Sequence, residues 1–106
     1  MAECSEKLGC IESAISILGT KWTGLIIREL AGEQQRFCQL ERSLPRLNPR
    51  TLSKRLNELE SADIIRHSQA TGCYTLTEKG TDLLPILRKM AEWGDKHPRP
   101  AHWNVA

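Results

Sequence analysis

The hydrophobic positions of residues 48–60 follow a helical period. Leu52, Leu56 and Leu59 fall at i, i+4 and i+7, which places three leucines on one face of a helix. Asn48 can accept a free backbone N–H as the N-cap, and Pro49 suits the first helical position because no hydrogen bond is lost there. The pattern predicts an amphipathic helix over 48–62 with one apolar face.

The residues before this helix predict three more. The first runs from Cys10 to Leu18, and Gly19 ends it. The second is capped by Thr20, ends at 31–32 and is apolar on nearly every face, so we expect it to be buried. A short third helix starts near Phe37 and is closed by Pro45. A short helix joined by a few residues to a helix with a basic start is typical of a helix-turn-helix.

The period changes after residue 63. Segments 64–68 and 73–77 read as two strands separated by 70–72, which predicts a hairpin, and a hairpin directly after a recognition helix is a wing. Thr77 then caps a last helix, in which Pro85 produces a kink or ends a first segment. The apolar residues of this last helix spread over more than one stripe, which predicts contact with a second copy of the chain. The fold class is therefore mainly α with a small β-hairpin wing, a homodimeric winged helix-turn-helix.

Positive charge is concentrated in one segment. The chain carries a net charge of +2, but residues 35–57 hold six cations and one anion. Arg50, Thr51, Ser53, Lys54 and Arg55 occupy the polar faces of the 48–62 helix near its N-terminus, a position from which side chains contact phosphates and base edges. The alternative is a solvated basic face on an ordinary core helix. The charge asymmetry suits a polyanion better than a metabolite.

Length and composition exclude several classes of protein. A chain of 106 residues forms one domain, and no run approaches the ~20 apolar residues of a membrane span or resembles a signal peptide. We expect a cytoplasmic protein without membrane contact, with an arm over 1–9, a domain over 10–97 and a tail over 98–106 that Trp103 can pin down. The four cysteines have no zinc spacing, so we expect thiols and neither metal nor cofactor. No catalytic set or phosphate loop is visible, which argues against an enzyme.

Several motifs in order resemble one family, that of the HxlR regulators, bacterial and archaeal winged helix-turn-helix transcription factors related to the MarR type. The motifs are Gly19-Thr-Lys-Trp22 with Leu25-Ile-Ile27, Arg36-Phe37 with Leu40, Leu52-Ser-Lys-Arg-Leu56 with Leu59-Glu60, and Tyr74-Thr-Leu-Thr-Glu-Lys-Gly80 with Trp93. The resemblance covers residues 11–94. It implies a homodimer joined through the first and last helices, with two recognition helices in successive major grooves of a pseudo-palindromic duplex and a wing beside each.

The resemblance, together with the charge pattern, indicates the candidate DNA-binding residues. They are Arg36, Asn48, Arg50, Thr51, Ser53, Lys54, Arg55 and Arg66. Trp22 and Phe37 are expected to pack in the core. The wing departs from the family because its tip is short and only Arg66 and His67 are basic, so we expect the recognition helix to carry more of the affinity than the wing.

A cysteine raises the question of redox control. Many relatives hold a reactive cysteine just ahead of the first helix, and here Cys10 stands one residue after the commonest offset. At a helix N-terminus free N–H groups lower a thiol pKa, so Cys10 could sense oxidants or electrophiles. The alternative is a small hydrophobic residue. Cys4 is a possible second thiol, whereas Cys38 and Cys73 are read as structural or incidental.

A competing function also fits the sequence. A winged-helix module can bind an acidic protein partner instead of a specific DNA site. The excess of Arg and Lys at the start of the 48–62 helix argues against that alternative without excluding it. The natural inducer cannot be read from the chain.

Overall fold

The computed structural model describes residues 3–102, with side chains from residue 9 onward. The elements in chain order are α1 (Glu3–Leu18), α2 (Thr23–Gly32), β1 (Gln35–Arg36), α3 (Phe37–Ser43), α4 (Pro49–Ser61), β2 (Ile65–His67), β3 (Cys73–Leu76), α5 (Glu78–Thr81) and α6 (Leu84–Lys96). The mainly helical winged helix-turn-helix is confirmed, with α3 and α4 as the helical pair and the β2–β3 hairpin as the wing. Pro85 lies in the first turn of α6, so the predicted last helix is divided into two.

The first helix is longer than predicted. It begins at Glu3 rather than at Cys10, so residues 3–9, expected as an arm, are helical. Cys10 is therefore the eighth residue of α1, where backbone N–H groups are bonded to carbonyls four residues earlier. The prediction that Cys10 stands at a helix N-terminus is wrong, so the free N–H groups of a helix end do not adjoin its thiol.

The start of α2 also differs from the sequence prediction. Thr20 does not cap this helix, which begins at Thr23 with Trp22 in the N-cap position. Trp22 has a φ of 81°, in the left-handed region that L side chains rarely adopt. The Nζ of Lys21 lies 5.2 Å from the centre of the Trp22 ring, close enough for a cation–π contact. The indole ring packs against the core and is partly buried, as is Phe37.

A three-stranded antiparallel sheet of order β1-β3-β2 joins the wing to the helix-turn-helix. In the wing, Ile65 pairs with Leu76 and His67 pairs with Tyr74. Sequence analysis did not predict β1, in which Arg36 pairs with Cys73. Because Arg36 is also the residue before Phe37, the sheet continues into α3 without a linker.

One hydrophobic core lies beneath the helix-turn-helix, α2 and the sheet. Its members are Ile26, Ile27, Leu30, Leu40, Leu44, Leu47, Leu52, Leu56, Leu59, Ile64, Ile65 and Tyr74. The three leucines predicted to form the inner face of α4 are all buried, as expected. The nearly complete burial of Ile26, Ile27 and Leu30 confirms that α2 is central.

The hydroxyl of Thr77 ties the end of the wing to the end of α4. It donates to the carbonyl of Asp63 at 2.6 Å, and the carbonyl of Ile64 lies 3.0 Å from the same oxygen. It also accepts the N–H of Gly80 at 3.1 Å, which makes Thr77 the N-cap of α5 as predicted. A β-carbon at Gly80 would overlap the Ile64 carbonyl, so glycine allows α5 to pack against the α4–β2 turn.

Two helices carry large apolar side chains that the core does not cover. Ile86, Met90 and Trp93 form one stripe of α6 at i, i+4 and i+7, and Trp93 is 67% exposed. Ile11 and Ile15 are exposed in the same way on α1, at i and i+4. The last helix therefore carries an apolar stripe outside the core, as its sequence predicts.

No single helix among the described residues is long and apolar enough to cross a membrane. The pair formed by Gly9–Leu18 and Thr23–Gly32 meets that criterion only jointly, by length and composition, and is bent by 76°.

Candidate nucleic-acid interface

The start of α4 is fixed by its own sequence. The Oδ1 of Asn48 accepts the backbone N–H of Arg50 at 2.7 Å, and Pro49 occupies the first helical position, so both predicted features of this terminus are confirmed. The positive end of the helix dipole also lies at this terminus, an arrangement that favours anions.

Five residues form what we call the outer face of α4, opposite the buried leucines. They are Arg50, Ser53, Lys54, Asn57 and Ser61, and all are exposed. At 3.6 residues per turn they lie roughly 90–180° from Leu52 around the helix axis. These five side chains carry two positive charges and are otherwise short and polar. Glu58 is exposed one turn after Lys54, and its carboxylate is paired with Arg55. Thr51 lies to one side of it and is partly buried.

Arg55 does not belong to the outer face. Its side chain is only 18% exposed, and its Nη1 donates to the Oε1 of Glu58 at 2.9 Å. The guanidinium lines a cavity of about 150 Å³ between α4 and the α1–α2 turn, beside Ser16, Thr20 and Thr23. Its Nε is buried and has no hydrogen-bond partner within the described residues. We therefore leave Arg55 out of the candidate contact surface.

Other cations lie around α4. Arg36 is exposed, and its backbone N–H donates to the side-chain oxygen of Gln39 at 2.7 Å, which fixes the start of α3. Arg42 and Arg46, on α3 and in the turn between the two helices, are also exposed. Sequence reasoning counted these two in the basic segment without selecting them as contacts. Their exposure is a feature that the helical period of the sequence does not predict.

The wing is short and internally bonded. The N–H of Gly72 donates to the carbonyl of Ser68 at 2.8 Å, and Gly72 adopts a φ of 73°, which closes the turn. The rings of His67 and Tyr74 stack at 4.1 Å between centroids with an angle of 7°. Burial, followed by the charge of Glu60, raises the pKa of the Tyr74 hydroxyl. Arg66 is exposed on β2, which is an edge strand of the sheet.

The thiols differ in access. Cys10 and Cys38 are exposed, whereas Cys73 is buried at the start of β3, next to the turn of the wing. The side chain of Cys4 lies outside the described residues, as does Trp103. Among the residues that the structure describes, no group of three or more His, Cys, Asp or Glu side chains could hold a metal ion.

Known proteins resemble this chain in sequence. The sequence profile of the HxlR-like helix-turn-helix family matches residues 17–102 of this chain. The chain belongs to the HxlR family. It is 37% identical over 95 residues to the HTH-type transcriptional regulator YodB of Bacillus subtilis (strain 168), with 85% of each chain covered. It is also 37% identical over 102 residues to the regulator YvaP of the same organism, covering 92% of this chain and 94% of YvaP.

Solved structures of HxlR-like proteins resemble this fold over most of its length. Quinone-bound YodB from B. subtilis superposes with a TM-score of 0.77 at 39% identity, covering 83% of this chain and 98% of that one. The redox regulator HypR in its oxidised form superposes with a TM-score of 0.74 at 30% identity, covering 85% and 98%. This HxlR-family member is thus a helix-turn-helix transcriptional regulator and not an enzyme.

Proposed function

We propose that this regulator is a homodimeric repressor that binds a pseudo-palindromic site in double-stranded DNA. The observation that carries the proposal is the outer face of α4, where Arg50 and Lys54 project from a capped helix N-terminus while the opposite face is buried. Asn48 caps this terminus, and Arg36 and Arg66 are exposed on the sheet, whose strand β2 packs against α4. These groups would contact phosphates, and those that reach base edges would set the sequence preference.

The uncovered apolar stripes support a dimer. Ile86, Met90 and Trp93 on α6 expose large hydrophobic side chains at helical spacing, and Ile11 and Ile15 do so on α1. Water contact with such a surface is unfavourable by about 25 cal/mol per Å² of apolar area, so pairing with the same surface of a second protomer would be favourable. A twofold dimer would present two α4 helices about one DNA turn, ~34 Å, apart.

Selection of bound duplexes from a random pool tests DNA recognition. We expect enrichment of a symmetric site whose half-sites are about ten base pairs apart, and affinity that falls with salt as counterions are released from contacted phosphates. Replacing Lys54 by Ala should weaken binding to all sequences and lower the salt slope by about one. Binding without sequence preference would contradict the proposal and favour a module that recognises an acidic protein.

The dimer has its own test. Trp93→Asp places a charge in the middle of the exposed α6 stripe and should yield monomers in sedimentation at concentrations where the parent protein is a dimer. Glu92→Ala, which changes an exposed neighbour on the same helix, serves as the control and should leave the association unchanged. A parent protein that sediments as a monomer at micromolar concentration would contradict the proposal.

We further propose that Cys10 makes the regulator responsive to electrophiles or oxidants. The thiol is exposed on α1, in the same helical turn as Ile11 but about 100° around the axis from it, so a group attached to its sulfur would lie beside the proposed dimer surface. YodB has been solved in quinone-bound and diamide-treated forms, and HypR in oxidised and reduced forms. A thiolate that adds to a ring carbon of a benzoquinone forms a C–S bond and reduces the ring; the hydrogen of that carbon moves to one oxygen and the other oxygen takes a proton from solvent, which gives the aromatic hydroquinone thioether.

Operator binding with and without diamide or benzoquinone tests Cys10. We expect the parent protein to lose affinity after treatment and Cys10→Ser to keep it. Cys38→Ser, which removes the other thiol seen to be exposed, is the matched control and should respond like the parent. A Cys10→Ser variant that remains as sensitive as the parent would remove Cys10 from the mechanism.

A further inference from the structure

The outer face of α4 is divided between long and short side chains. Arg50 and Lys54 form one row at i and i+4. Beside it runs a row of small residues at intervals of four, namely Ser53, Asn57 and Ser61, all of them exposed. An α-helix with its side chains is about 10–12 Å wide, and the major groove is about 12 Å wide and 8.5 Å deep, so a row of small side chains lets a helix approach the floor of the groove closely.

Asn57 is the one member of this small row whose side chain both donates and accepts hydrogen bonds through a planar amide. Within residues 3–102, the side-chain hydrogen bonds of α4 and its cap run through Asn48 and Arg55, which leaves the Asn57 amide unengaged. Glu58, the next residue, is directed to Arg55 by the 2.9 Å ion pair, so its carboxylate is held on the flank rather than beside the amide.

We propose that Asn57 reads an adenine in each half-site, through paired hydrogen bonds to N6 and N7. An asparagine amide matches this donor–acceptor pattern, which only adenine presents in the major groove. This inference rests on the proposed DNA-binding function and adds a residue to it that sequence analysis did not select. Asn57 stands seven positions after Arg50, or about 10 Å along the helix, so the two side chains would contact different bases.

The test compares the sequence preferences of variants rather than their affinities alone. The parent protein is first used to select duplexes, and the selected site is then varied one base pair at a time. We expect one position per half-site at which adenine is preferred by about 5- to 150-fold, a range typical of a bidentate contact. In Asn57→Ala this preference should disappear while preferences at other positions remain. Ala is also the better helix former, so folding should not suffer.

Ser61→Ala is the matched control, because Ser61 ends the same row one turn further from the helix N-terminus. It should retain the adenine preference. An Asn57→Ala variant with the parent's preference at every position, or with uniformly weaker binding, would overturn the inference while leaving the proposed function intact. A parent protein that selects no preferred duplex would overturn both.

Discussion

Thr77→Val is expected to destabilise the protein because it removes a buried hydroxyl that bonds two backbone groups. Valine has nearly the same shape as threonine, but it lacks the hydroxyl that donates to the Asp63 carbonyl at 2.6 Å and accepts the Gly80 N–H at 3.1 Å. Losing an N-cap costs ~1 kcal/mol, and leaving a buried polar group unpaired costs about 1–3 kcal/mol. Thr77 is 5% exposed, so water cannot readily replace the hydroxyl, and we expect a total of roughly 2–4 kcal/mol.

Urea unfolding measures this loss. Parent, Thr77→Val and Thr77→Ser should be compared at one protein concentration, since association contributes to apparent stability. Serine keeps the hydroxyl and removes one methyl group, so its cost should be about 1 kcal/mol. If valine costs no more than serine, the hydroxyl does not hold the wing to the end of α4, and this reasoning is refuted.

Three further changes test other parts of the structure. Asp63 has a φ of 61°, so Asp63→Ala should destabilise by about 1 kcal/mol in urea unfolding while Asp63→Gly should not; equal losses would contradict backbone strain at this turn. Burial raises the pKa of the Tyr74 hydroxyl in the folded protein. The neutral hydroxyl therefore contributes stability below its ordinary pKa of 10.0, and that contribution is lost as the pH rises through the higher pKa of the folded state. Thermal melts from pH 9 to 11 should show a steeper decline in melting temperature for the parent than for Tyr74→Phe. Arg55→Met should weaken operator binding much less than Lys54→Met at the same salt concentration, because Arg55 is mostly buried against Glu58; an equal loss would return Arg55 to the contact surface.

Sequence periodicity predicted the parts of the fold that depend on local patterns. The inner face of α4 and its Asn48 cap follow from residues within one or two turns of each other, as do the Thr77 cap and the wing strands. The break at Pro85 follows from the geometry of proline. These features could be predicted because each depends on the conformational preference of a few adjacent residues.

The errors arose where distant residues decide the outcome. Strand β1 has only two residues, too few for a period, and it forms because Gln35 meets Tyr74 across the sheet. Trp22 replaces Thr20 before α2 in a left-handed conformation that local preference would not choose. Leaving Arg55 out of the candidate contact surface also depends on packing, since the cavity that it lines beside the α1–α2 turn forms only when the helices meet.

The direct junction of β1 and α3 has a mechanical consequence. Arg36 is paired with Cys73 in the sheet, and the next residue, Phe37, already begins α3, so the hairpin cannot pivot without carrying the first helix of the motif along. The Thr77 hydroxyl fastens the far side of the same block at the turn after α4. The hairpin, α3 and the end of α4 therefore form one rigid block, and a displacement of any one of them would carry the other two with it.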